Sequence, residues 1–161
     1  MAAVARSSGR VECVYTPVMP HRLTVADIMS REVITLAEDD TLSDARGCME
    51  RGRVRHLPVV RGDKLVGLVT HRDLLAASFS VFAQASEREQ RRLFSRTQVR
   101  ELMHDAIAVS PATSVREAAT MLVENQFGCL PVVKADGTLV GIVTEADLVR
   151  LLARMLEAIQ R

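Results

Sequence analysis

Two Thr-x-x-Asp units, Thr70-His71-Arg72-Asp73 and Thr144-Glu145-Ala146-Asp147, each place a hydroxyl and a carboxylate three residues apart directly after a β-branched run. That spacing suits two chemistries. In a capping box, the Thr hydroxyl takes one orphan N–H of a new helix and the carboxylate takes another. In a binding device, the carboxylate accepts both hydroxyls of a ribose, while the hydroxyl and free N–H groups at the helix start favour a phosphate. Both can hold in part, because Thr can cap while Asp faces a ligand. Catalysis would need a nucleophile with a base, a metal site or an acid–base pair. The sequence carries no Gly-x-Ser-x-Gly, HExxH, GxxxxGK or zinc spacing, so no enzyme and no catalytic residue is expected. Cys13, Cys48 and Cys129 are an odd set without CxxC spacing, which argues against a disulfide scaffold and a structural metal. Cys48 and Cys129 read as small buried hydrophobes.

The charges narrow the partners. Lys plus Arg is 21 against 20 Asp plus Glu, a net charge of +1, so no global field recruits nucleic acid or an acidic membrane. Only Lys64 and Lys134 are lysines, and the remaining cations are arginines, the side chain suited to bidentate phosphate contact, although codon usage explains that bias equally well. Arg53, Arg55 and His56 cluster just before Pro58. The first twenty residues lack the apolar run of a signal peptide, and no stretch approaches the roughly 18 apolar residues of a membrane span, so a soluble protein of a reducing cytoplasm is expected.

The elements that position these residues come in duplicate. Leu65 to Leu74 is matched by Leu139 to Leu148 at an offset of 74, Leu57-Pro58-Val59-Val60 by Leu130-Pro131-Val132-Val133 at 73, and Val25 to Met29 by Val99 to Met103 at 74. Two one-residue slips in loops align the halves. In each half a helix comes first, on the stripe Leu42, Ala45, Met49 or on Val115, Ala118, Ala119, Leu122, Val123. A hairpin with a Gly-containing turn follows. A last helix runs through Leu75, Phe79 and Phe82, or through Leu148, Leu151, Leu152, Met155, Leu156 and Ile159. A further strand fits at Ile34 and at Ile107. The fold class is α+β: two β-α-β-β-α repeats of about sixty residues, each near the lower limit for a stable core and so expected to pack on the other. The expected boundaries are a flexible arm at 1–22, repeat one at 23–83, a charged linker or solvated helix at 84–97, repeat two at 98–156 and a helix end at 157–161.

The combination of Asp-Ile-Met, Arg-His-Leu-Pro-Val-Val and Leu-Val-Gly-Leu-Val-Thr-x-x-Asp-Leu, repeated over about residues 23 to 156, resembles the cystathionine-β-synthase (CBS) domain, and the pair resembles a Bateman module. The resemblance implies that the two repeats pack with pseudo-two-fold symmetry through their sheets. It implies two clefts for an adenosyl ligand such as AMP, ADP, ATP, NAD or S-adenosylmethionine, bound as a regulatory ligand and not as a catalytic cofactor. It also implies a homodimer and a regulated partner protein. The alternative is an interaction module with empty clefts.

Residue by residue, the resemblance assigns ribose binding to Asp73 and Asp147, with Thr70 and Thr144 beside them. The residues before each proline line the clefts: Arg53, Arg55, His56, Leu57 and Pro58 in copy one, and Gln126, Gly128, Cys129, Leu130 and Pro131 in copy two. The basic copy-one set is expected to make its cleft prefer a di- or triphosphate, the copy-two cleft taking a neutral adenosine part or nothing. Ile34, Thr35, Ile107 and Ala108 align with backbone that reads the adenine edge, and His71 and Arg72 sit at the start of the copy-one helix. Met29 and Met103 are read as packing residues.

Overall fold

The computed structural model describes residues 23–80 and 86–160. The expected arm, Cys13 and Phe82 lie outside them. Each repeat is organised by its caps. Helix α2 (Leu42–Gly52) starts on a Thr41/Asp44 capping box, buries Leu42, Ala45 and Met49, and ends on Arg53 with φ 50. Helix α5 (Val115–Asn125) starts on Ser114, whose hydroxyl accepts from the Glu117 N–H, and ends on Gln126 with φ 56. Its buried face is Ala118 and Leu122; Val123, expected on that face, is exposed. After each helix comes a hairpin, β2 (His56–Arg61) with β3 (Lys64–Thr70), and β4 (Cys129–Val133) with β5 (Leu139–Thr144). Both carry a register shift at the matching place, Val59/Val60 and Val132/Val133. Gly62 and Gly137 hold positive φ in the turns, where one of the two one-residue slips between copies falls. The last helices are α3 (His71–Ser80) and α6 (Glu145–Ile159). Among the described side chains of α3 Leu74 is buried; Leu75, expected inside, is exposed.

The extra strand forms two residues later than expected. Leu36–Ala37 (β1) pairs parallel with β2, and in repeat two only Val109 bridges Val132. Ile34 and Ile107 lie outside these pairings and stay 39% and 51% exposed. The charged stretch is also more than a spacer. Glu87–Phe94 forms α4, capped by Ser86, and its last residue, Phe94, is buried in the first core with Arg46 over its ring at 5.2 Å.

The two halves exchange their leading segments. Helix α1 (Val25–Ile28) packs in the core of repeat two, where Val25 meets the environment of Val109, Ala118, Leu130 and Val143. The 3₁₀ turn Val99–Glu101 places Val99 in the core of repeat one, with Leu42, Leu57 and Val69. The backbone repeats the exchange pair by pair. The Val25 N–H donates to the Thr113 carbonyl (2.8 Å) and Val99 to Asp40 (2.8 Å); Ser30 and Ile142 exchange two bonds, as do His104 and Leu68. Leu68, Cys129 and Ile142 form a third cluster between the sheets, so the repeats pack through them about a pseudo-two-fold axis, as expected.

Met29 and Met103 explain the glycine in each Val-Gly pair. A Cβ at Gly141 would stand 2.6 Å from the Met29 sulfur and 3.0 Å from the Ser30 carbonyl; one at Gly67 would stand 2.9 Å from the Met103 sulfur and 3.3 Å from the His104 carbonyl. A thioether can swing aside, but the Ser30 carbonyl is tied into the exchanged pair with Ile142. Gly141→Ala is therefore expected to cost about 1–3 kcal/mol, as overpacking does, and Gly67→Ala less. Urea unfolding of both variants checks the order; equal stability to the parent would show that the segment yields freely.

Candidate functional site

Two clefts flank the axis, and each is built across the repeats. The first, about 510 Å³, opens on Thr70 and Asp73. The second, about 350 Å³, opens on Thr144 and Asp147. Both volumes fall in the range of small-molecule sites.

In both clefts the capping reading is correct at the level of one carboxylate oxygen. Asp73 Oδ2 accepts from the Thr70 N–H (2.8 Å) and hydroxyl (2.7 Å), and Asp147 Oδ2 accepts from the Thr144 N–H (2.8 Å) and hydroxyl (2.7 Å). The second oxygens differ. Asp73 Oδ1 has no partner among the described residues, whereas Asp147 Oδ1 accepts from Arg150 at 2.7 Å, with Asp147 only 6% exposed. Ala76 stands one turn after Asp73 where Arg150 stands one turn after Asp147. His104 Nε2 approaches Asp73 Oδ2 at 3.4 Å.

The partition of the basic residues departs from expectation. Arg53, Arg55 and His56 were assigned with Asp73, and Gln126, Gly128 and Cys129 with Asp147. Three residues change sides: Arg53 lines the cleft of Asp147, together with Ile34, whereas Gln126 and Cys129 line that of Asp73, together with Arg72. The physical reason is the pseudo-two-fold axis, which sets the strand-to-helix corner of one repeat opposite the helix exit of the other. Arg55, His56, Gly128 and Glu145 line both clefts, so the expected contrast between a basic and a neutral cleft is reduced. The His56 ring fills the space that a Gly128 side chain would need. Burial pushes the His56 imidazole below its ordinary range, and Arg55 adds to the effect. Burial also pushes the Cys129 thiol up to about 12, so it is a neutral thiol.

Several assigned residues are elsewhere. Leu57, Pro58, Leu130 and Pro131 are buried and line neither cleft; Leu57 and Leu130 belong to the cores of the two repeats. Thr35, Ile107 and Ala108 line neither cleft. Sequence reasoning missed Arg150, His104 and Glu145; the difference between Arg150 and Ala76 at matched positions was the available signal for the first. Among the described residues no group of three or more His, Cys, Asp or Glu could hold a metal ion, and no helix is long and apolar enough to cross a membrane.

Comparison with known proteins places this geometry. A family model described as the CBS domain matches residues 25–80 and 99–154. A CBS domain-containing protein of Dictyostelium discoideum is 31% identical over 140 residues, covering 86% of this chain and 97% of that protein. In several longer curated relatives the match covers less than half of the protein. Among solved structures, the CBS-pair protein CBSX2 from Arabidopsis thaliana superposes with a TM-score of 0.71 at 30% identity, covering 85% of this chain and 99% of that one. CBSX2 has also been solved in complex with AMP, at 32% identity, a TM-score of 0.70 and coverage of 83% and 98%. The CBS domain pair of protein MJ0100, solved with 5-methylthioadenosine and S-adenosyl-L-methionine, gives a TM-score of 0.70 at 26% identity, covering 84% and 99%. Two motif-bearing halves, exchanged leading segments and matched clefts thus have one common origin: the chain belongs to the CBS-domain family and is a tandem CBS pair.

Proposed function

We propose that this protein is a non-catalytic regulatory module that senses an adenosyl ligand, AMP, ADP or ATP in the first place and NAD or S-adenosylmethionine as further candidates, and signals its occupancy to a partner protein in the cytoplasm. The observation that carries the reading is the unpartnered Oδ1 of Asp73, held over a cleft by a carboxylate whose other oxygen is fixed to the helix start. A ribose diol can use that oxygen, and the cations Arg55 and Arg72 can take a phosphate. The relatives solved with AMP and with S-adenosyl-L-methionine support the same ligand class. Sensing then requires that the ligand bind one arrangement of the repeats better than another.

A thermal-shift titration of the parent, Asp73→Ala and Asp147→Ala against these five compounds tests the reading. At about 100 times its dissociation constant a ligand adds roughly 2.7 kcal/mol. At about 2–4 °C per kcal/mol for a chain of this size, the midpoint rises by several degrees. Asp73→Ala is expected to weaken binding at its cleft about ten-fold or more, the scale of a hydrogen bond to a charged group. Unchanged affinity in both variants, or no shift with any compound, would reject the sensor.

A second feature favours self-association. Val149, Leu152, Met155, Leu156 and Ile159 on α6 are each at least half exposed, more apolar surface than a lone helix of this length ordinarily leaves in water. We read it as the contact of a homodimer. Sedimentation at tens of micromolar is expected to give twice the chain mass, and a monomer would reject it.

A further inference from the structure

We propose that the two clefts compete for one guanidinium, that of Arg55, so that a phosphate-bearing adenosyl ligand in one cleft weakens the binding of a second such ligand in the other. The inference rests on the adenosyl reading above and adds its regulation.

Arg55 lines both clefts. In a symmetric pair the second repeat would supply its own cation at the matching place, but that place, 73 positions on, is Gly128. One guanidinium therefore serves two sites. Its backbone is fixed, since the Arg55 carbonyl accepts from the His71 N–H at 2.8 Å, while its side chain makes no hydrogen bond or ion pair among the described residues and is free to turn to either side. The neighbour at the divide, His56, is held neutral by burial and brings no second charge at neutral pH. Glu145, the other charged residue common to both clefts, has the wrong sign for a phosphate. Each cleft keeps one private arginine, Arg72 beside Asp73 and Arg53 beside Asp147, so the competition for Arg55 weakens the second phosphate without abolishing its binding. Arg150 is committed to Asp147 at 2.7 Å.

A guanidinium fork pairs bidentately with one phosphate at a time. Once Arg55 turns to the first ligand, a second phosphate loses the shared counter-charge and faces a like charge across a divide of a few side chains, within the Debye length of about 8–10 Å. A ligand without phosphate asks nothing of Arg55 and escapes the competition. Mixed occupancy by one nucleotide and one neutral adenosyl compound is thereby favoured over two nucleotides.

Calorimetric titration with AMP and with adenosine tests this on the full chain. Asp73→Ala and Asp147→Ala each isolate one cleft. For AMP, the product of the two stepwise association constants of the parent is expected to be at least about five-fold smaller than the product of the two single-cleft constants, the lower end of ordinary coupling. For adenosine the two products agree. Equal products for AMP overturn the competition and leave the adenosyl reading standing. Should the single-cleft variants fold poorly, Arg55→Met in the parent serves instead: it should lower the first AMP step, leave the second near its parent value because that step already goes without Arg55, and change neither adenosine step. An equal loss in both AMP steps, or no loss in either, overturns the sharing. Absence of any binding by either compound overturns the adenosyl reading and this inference with it.

Discussion

Phe94→Ala is expected to lower stability by about 3–5 kcal/mol, the usual loss for removing a buried Phe side chain. Phe94 is 3% exposed and sits among Leu36, Leu42, Met49 and Leu57, although it ends a helix whose other residues, Gln90 apart, are exposed. Its partner Arg46 would lose a ring at 5.2 Å, a smaller contribution of about 0.5–1 kcal/mol at an exposed site. A domain has about 5–15 kcal/mol in total, so the variant would approach the limit of folding. The melting midpoint is expected to fall by on the order of 10 °C. Denaturant unfolding checks the value; a loss within about 0.5 kcal/mol, typical of exposed positions, would return the Glu87–Phe94 helix to the status of a spacer.

Leu130→Ala separates core from cleft. The resemblance to the family puts Leu130 beside the ligand, yet it is fully buried on β4, among Val25, Leu122 and Val143. Truncation is expected to cost about 2–5 kcal/mol through lost transfer energy and a residual cavity. Affinity for an adenosyl ligand, measured well below the midpoint, should stay at the parent value because no Leu130 atom lines either cleft. Chemical denaturation and calorimetry on the same preparation decide the matter. Lost affinity with unchanged stability would move Leu130 back into the site.

Duplication made most of the scaffold readable. The hairpins, the α2 stripe and the Thr-x-x-Asp corners are local patterns whose meaning does not depend on the other half, and each repeats seventy-odd residues later. Val123 and Leu75 misled because an apolar stripe read at helical spacing is wider than the face a small core can cover. Phe94 hid behind Glu-Arg-Glu-Gln-Arg-Arg, a run that periodicity reads as solvated. The composition of the clefts failed for a different reason. Aligning the repeats shows that Arg53 and Gln126 are equivalent, but not that Arg53 lies in the cleft of Asp147 and Gln126 in that of Asp73. That pairing depends on the axis between the halves, and the axis is set by contacts such as Leu68 with His104 and Ser30 with Ile142.

The exchanged leading segments bear on how the chain reaches this state. The core of repeat two takes Val25 from near the start of the described chain, and the bond from Val25 to Thr113 spans 88 positions. The core of repeat one is incomplete until Val99 arrives. On a ribosome, where the N-terminal part of a chain ordinarily folds first, no single repeat can close as it emerges. Contacts this distant in sequence raise contact order and slow the search. Folding and unfolding should therefore proceed as one cooperative transition of the whole pair, and a gene fragment encoding either repeat alone should yield no stable product.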